Sequence, residues 1–202
     1  MHRYRAFGLT LGSDVRLDEL AAQTDDSAPI DLRIVLTDLG ETIPPLGHCP
    51  RYEFEMPDGV EMMWPGAASV RIKDPSLVHI QPFEGIPETY LAFPLLGPVM
   101  GWMLHMRGLF VLHASAVRYD RRSVAFLGDK TAGKSTTASA FLKRDWKLIT
   151  DDLLAIDCDG EGRPQMQPAF AQVKLNADAP NADIPEAAML PLVMDGLSLI
   201  HI

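Results

Sequence analysis

Residues 128–135 read Gly128-Asp129-Lys130-Thr131-Ala132-Gly133-Lys134-Ser135, which satisfies the phosphate-binding pattern G-x-x-x-x-G-K-[ST] in full. The chemistry needs these residue types at this spacing. Glycines let the backbone wrap so that successive N–H groups converge on an anion, and a helix that follows adds the positive end of its dipole. Lys134 carries the charge that reaches the outer phosphates. Ser135, with Thr136 beside it, opens the helix with a hydroxyl suited to Mg²⁺. The expected ligands are a nucleoside triphosphate, ATP, and Mg²⁺.

Phosphoryl transfer also needs a group that orients or deprotonates the acceptor. Asp151 and Asp152 stand seventeen and eighteen residues after Lys134. One carboxylate of such a pair can bind the metal while the other takes a proton from an acceptor hydroxyl. Neighbouring residues in extended chain point to opposite faces, so the two acids are not expected to share one task. His113, at the end of the buried strand expected over Leu109-Phe110-Val111-Leu112, is a further candidate, although a lone histidine is more often a structural residue.

These groups have to be positioned by the elements around them. Val124-Ala125-Phe126-Leu127 reads as a buried strand entering the loop, and Ala138, Phe141 and Leu142 have helical spacing after it. Lys147-Leu148-Ile149-Thr150 is the next strand and delivers Asp151-Asp152 at its end. In a strand–helix–strand unit that end lies beside the loop. Leu153-Leu154-Ala155-Ile156 follows at once, then a turn over 157–162. Arg118, Arg121 and Arg122 mark a solvated hairpin tip with the charge to border an anion. A helix is expected from Pro94 to Arg107, with Met100, Met103 and Leu104 facing the core.

Upstream, the chain reads as β-rich material without a chemical motif. Strands are expected over Tyr4–Thr10, Asp31–Thr37, Ala68–Lys73 and Leu77–Gln81. A hairpin is expected from Arg51–Glu55 and Val60–Trp64 around Met56-Pro57-Asp58-Gly59. The domain division expected is 1–90, a β-rich region for packing or substrate recognition, and 91–202, the nucleotide-binding region.

Composition narrows the functional classes. The 202 residues are 47% hydrophobic and 22% charged, ordinary for a globular chain with a real core. A net charge of −9 argues against a nucleic-acid partner. The apolar stretch Leu91–Leu104 is too short to span a bilayer and is interrupted by Pro94, Gly97 and Pro98, so no membrane association is expected. Cys49 and Cys158 lack a metal-ligand pattern and read as reduced thiols of a cytoplasmic protein. The apolar end Leu197-Ser198-Leu199-Ile200-His201-Ile202 has no evident partner in the sequence. Either the chain is truncated at its C-terminus, the reading favoured, or the tail packs as a last strand; left as an unpaired edge it would favour self-association into a homo-oligomer.

Taken together, Leu112-His113-Ala114-Ser115-Ala116-Val117, the loop Gly128–Thr136 and Leu148-Ile149-Thr150-Asp151-Asp152 resemble the catalytic domain of HPr kinase/phosphorylase. That family shares its nucleotide-binding core with phosphoenolpyruvate carboxykinases. The opening Tyr4-Arg5-Ala6-Phe7-Gly8-Leu9, Leu17-Asp18-Glu19-Leu20 and Pro168–Leu175 look similar to HPr-kinase-related proteins of lasso-peptide and other modified-peptide pathways. The resemblance implies an α/β fold with an HPr-kinase/phosphoenolpyruvate-carboxykinase-like P-loop core, preceded by a β-rich N-terminal region. It implies that Lys134 binds phosphates, Ser135 and Asp152 serve the metal, Asp151 is the catalytic base, and His113 lies near the transferring phosphate. Thr136 stands where the HPr enzymes usually carry Glu, and the phosphorylase signature has no counterpart. The activity implied is therefore that of a serine kinase acting on a peptide or protein other than HPr. A nucleotide-binding regulatory module and a kinase of small amino acids or sugars are the other classes the sequence admits.

Overall fold

A computed structural model of the chain describes residues 1–25, 27–41, 51–56, 59–170, 172–176, 188–194 and 197–201. The chain combines helices with sheets and divides into two units, Met1–Gly108 and Leu109–Ile202. Cys49, Pro57, Asp58 and Ile202 lie outside the described residues.

In the first unit, β1 (His2–Ala6), β2 (Leu9–Ser13), β3 (Ala21–Ala22), β4 (Leu32–Leu36), β5 (Arg51–Met56), β6 (Gly59–Trp64), β7 (Ala68–Asp74) and β8 (Leu77–Pro82) share one sheet. Its order is β3-β1-β2-β4-β8-β7-β6-β5. β4 runs parallel to both β2 and β8, and the other pairings are antiparallel, so the sheet is mixed. Alternating apolar residues, among them Leu11, Leu32, Ile34, Val70, Ile72, Val78 and Ile80, are buried and supply the core. Each such aliphatic side chain contributes about 1.5–3 kcal/mol when fully buried.

The single strand expected over Tyr4–Thr10 is instead a hairpin. Phe7 and Gly8 both adopt positive φ, 53° and 76°, which is the two-residue turn whose twist matches antiparallel strands. The β5–β6 hairpin forms as the alternation and turn residues led one to expect.

The segment after β8 also departs from expectation. A regular helix over Pro94–Arg107 is replaced by a 3-10 turn (Glu88–Leu91), a short helix α1 (Ala92–Pro94), a π-type stretch (Leu95–Val99) and α2 (Met100–Met106). Gly97 has non-helical angles, φ −97° and ψ −105°, directly before Pro98, whose ring cannot continue the hydrogen-bond ladder. Leu91, Leu95, Met100, Met103 and Leu104 are all buried. Arg107 Nη1 donates to the carbonyls of Asp31 and Pro75, at 3.2 and 2.5 Å. These contacts assign the segment to the first unit, so the division falls at Gly108/Leu109 and not at 90/91.

The second unit runs β9 (Phe110–His113), β10 (Ser115–Tyr119), β11 (Arg122–Phe126), α3 (Lys134–Leu142), β12 (Lys147–Thr150), β13 (Leu153–Cys158), β14 (Pro164–Gln167), β15 (Gln172–Asn176), β16 (Ala188–Met194) and β17 (Leu197–His201). They form three small sheets, β11-β10-β12, β14-β13-β9 and β15-β17-β16. Ala114, Ala116, Ile149 and Leu154 make a buried cluster, flanked by Leu112, Ala125, Ile156 and Met166, which joins the first two of these sheets.

The strand entering the loop is not buried: Val124 is exposed and Leu127 is 60% exposed, and among the described residues β11 is an edge strand with β10 on one side only. β9, expected to be a buried strand, is partly open, with Phe110 63% exposed. The apolar tail is likewise not an unpaired edge. β17 lies between β15 and β16 and pairs with both, which satisfies its backbone groups on each side.

Candidate functional site

The phosphate loop forms the turn between β11 and α3. Gly133 is the residue before the helix and sits in the left-handed region, φ 88° and ψ 17°, where a Cβ would cost about 1–2 kcal/mol. Thr131, which does carry a Cβ, is held at φ 71° two residues earlier. Backbone strain of this kind collects where a loop must present its amides in one direction. Among the described residues no side-chain cap closes the start of α3, so the N–H groups of its first turn lack intrahelical partners, the arrangement that suits an anion.

Lys134 closes the loop on itself. Its Nζ donates to the carbonyls of Gly128 (2.9 Å) and Asp129 (3.1 Å), while the Ala132 N–H donates to the Asp129 carbonyl at 3.1 Å. The lysine charge therefore sits over the cradle. Asp129, Lys130 and Thr131 are exposed on its rim, and Ser135 lies half-buried in the first turn. Ser139 Oγ and Thr137 Oγ1 bond back to the carbonyls of Ser135 and Gly133, which stiffens that turn. Phe141 anchors the helix against Phe126 of β11 at 5.3 Å between rings.

Sheet register decides what stands beside the loop. β10 is antiparallel to β11 and to β12, so the outer two strands run parallel to each other with β10 between them. Ser115 pairs with Phe126 and Ala116 with Thr150. The ends of β11 and β12 thus flank the start of β10, and the loop, Ser115 and Asp151 emerge at one edge of the sheet.

The two adjacent acids take different partners there. Asp151 is buried, and its Oδ1 accepts a 2.5 Å hydrogen bond from Ser115 Oγ. Asp152 turns to the neighbouring sheet, where Leu153 is in register with His113. His113 Nδ1 lies 3.0 Å from Asp152 Oδ1, and the Ala114 N–H donates to the Asp152 carbonyl. The imidazole remains 64% exposed. Thr150 Oγ1 donates to the Leu153 carbonyl and so turns the chain tightly at the Asp pair.

His113, Asp151 and Asp152 therefore lie at the end of the sheet from which the loop springs, whereas Arg118, Arg121 and Arg122, read as able to border an anion, lie at the opposite end. Ser115 was missed. Its only signal was a small hydroxyl side chain at the head of an apolar strand, and its partner is thirty-six residues away. Ser115→Ala is expected to cost about 1–3 kcal/mol in urea unfolding, because the buried Asp151 carboxylate loses a donor that water cannot readily replace.

Among the described residues, no three His, Cys, Asp or Glu side chains converge on one point. Mg²⁺ in phosphoryl transfer does not need such a cage, since it keeps waters and binds through one or two protein oxygens plus phosphate. The hydroxyl of Ser135 and a carboxylate of the Asp pair fit that donor set, and the open amides with Lys134 fit a polyphosphate. No helix among the described residues is long and apolar enough to cross a membrane. Comparison of the chain with protein-family models, curated proteins and solved structures gives no match.

Proposed function

We propose that the second unit is an ATP- and Mg²⁺-dependent kinase with an HPr-kinase-like core that phosphorylates a serine hydroxyl on a peptide or protein. The observation that carries this reading is the shared sheet edge. A phosphate cradle with Lys134 over it opens beside a carboxylate held by Ser115 and a histidine held by Asp152. Bound ATP supplies the transferable phosphoryl group, and Mg²⁺ offsets charge on its oxygens.

The chain's own residues do the rest. Lys134 exchanges its two carbonyl partners for phosphate oxygens. Ser135 and Asp152 hold the metal side of the site. Asp151, positioned by Ser115, takes the acceptor's proton. The His113–Asp152 contact supports a second assignment, in which Asp152 orients His113 and the exposed imidazole takes the proton. A modified-peptide precursor with an acceptor serine is the substrate class that the sequence resemblance favours. ATP and the exposed free thiol of Cys158 fit a cytoplasmic setting.

Incubation with γ-labelled ATP and Mg²⁺ tests the proposal, with serine-containing peptides, free serine and simple sugars as acceptors. Label is expected on peptide serine and lost when Mg²⁺ is chelated. Label on free serine or sugar would make this a small-molecule kinase. Tight ATP binding without transfer to any acceptor would leave a regulatory nucleotide-binding module.

A further inference from the structure

The edge of the β11-β10-β12 sheet opposite the phosphate loop carries a second concentration of charge. β10 ends at Tyr119, β11 begins at Arg122 and β12 begins at Lys147, so the hairpin tip and the start of β12 meet there, next to the residues that follow α3. Arg118, Arg121, Arg122, Arg144 and Lys147 are all exposed. Among the described residues, none of these five makes an ion pair. The acids within 118–122 and 143–147 are Asp120 and Asp145 alone, in a chain whose net charge is −9.

Two features separate this edge from an ordinary solvated surface. Arg118 and Lys147 are register partners on β10 and β12, and like charges placed directly opposite each other work against the sheet. Tyr119, 53% exposed, lies 5.6 Å from the ring of Trp146, which meets Phe141 edge-on at 5.1 Å. An aromatic platform fixed to α3 thus borders a row of cations that make no ion pair among the described residues. Four of the five cations are arginines, whose planar fork matches carboxylates in bidentate fashion.

We propose that this edge docks an acidic segment of a partner protein. Its carboxylates would pair with Arg118, Arg122 and Lys147, and an apolar side chain would rest on Tyr119 and Trp146. A protein segment is favoured over nucleic acid because the rest of the chain is acidic and would repel a long phosphate backbone. The proposal is independent of the nucleotide site, which lies at the other edge.

Fluorescence anisotropy with a labelled 14-residue peptide, acidic at alternate positions and carrying one leucine and one tryptophan, tests it. The wild-type protein is expected to bind this peptide and not its Gln-substituted counterpart. Lys147→Glu is expected to weaken binding roughly ten- to hundredfold, the loss of one charge-assisted hydrogen bond. The same variant should raise the thermal midpoint by about 1–4 °C, because it turns a like-charge pair into an opposite one. Tyr119→Ala should weaken binding without that thermal gain, and ATP affinity should stay unchanged in both variants. No binding by the wild type, equal binding by Lys147→Glu, or displacement of the peptide by a single-stranded oligonucleotide of equal charge would each overturn the proposal.

Discussion

Asp151→Asn is expected to lower phosphoryl transfer by about 10²–10⁴ while ATP affinity stays within a few-fold of wild type. The substitution preserves shape and removes the charge. Ser115 Oγ can still donate to the amide oxygen, so the strand end should keep its form. What is lost is the basic oxygen proposed to take the acceptor's proton. Single-turnover transfer from labelled ATP, measured beside calorimetric ATP binding, separates the two quantities. Asp152→Asn should instead shift the Mg²⁺ dependence to higher concentration. His113→Gln breaks the 3.0 Å contact with Asp152 and is expected to lower transfer less than Asp151→Asn does. The reverse order, with His113→Gln the more damaging, would hand the proton-accepting role to the His113–Asp152 pair. Full transfer in all three variants would remove this sheet edge from the chemistry.

Lys134→Ala should reduce ATP affinity roughly 10- to 150-fold, the equivalent of about 1.5–3 kcal/mol for a charge-assisted hydrogen bond. In the free protein the lysine Nζ bonds the carbonyls of Gly128 and Asp129, both in the solvent-facing part of the loop. Water can take over at those carbonyls, so thermal stability should change little. Affinity and stability therefore report on different contacts of one side chain. Equal ATP affinity in the two proteins, measured calorimetrically with Mg²⁺ present, would refute the nucleotide-binding reading itself. A large fall in melting temperature would show instead that the lysine is chiefly a structural clasp for the loop.

Elements specified by local chemistry were legible in the sequence. The phosphate loop is an uninterrupted string whose glycines, lysine and hydroxyl each answer to a local requirement, and α3 follows at its end. β12 occupies Lys147–Thr150, the run expected from its β-branched and aliphatic residues, and it delivers Asp151 and Asp152 at its end. Met100, Met103 and Leu104 are buried, as their helical spacing indicated. The Phe7-Gly8 turn was written in the sequence as well, but an aromatic residue at positive φ gives a weaker signal than Asn-Gly or Asp-Gly.

Tertiary structure decided the rest, because it depends on pairings between distant residues. Nothing local to Asp151 points to Ser115, and nothing local to His113 points to Asp152. A shift of β10 by one residue would turn Ser115 to the opposite face and leave the carboxylate without its donor. Exposure was set in the same way. Val124 and Leu127 look like core residues in a list of side chains, yet both are exposed, on and just after a strand that, among the described residues, is paired on one side. The tail Leu197–His201 reads as unpartnered until β15 and β16 are placed on either side of it. Composition and spacing thus determined that this chain carries a glycine-rich loop with the phosphate-binding pattern and two carboxylates after it. Only the register of β10 between β11 and β12 decided that they open on one edge, since hydrogen-bond pairing across a sheet depends on which strands meet and not on the residues of any one strand.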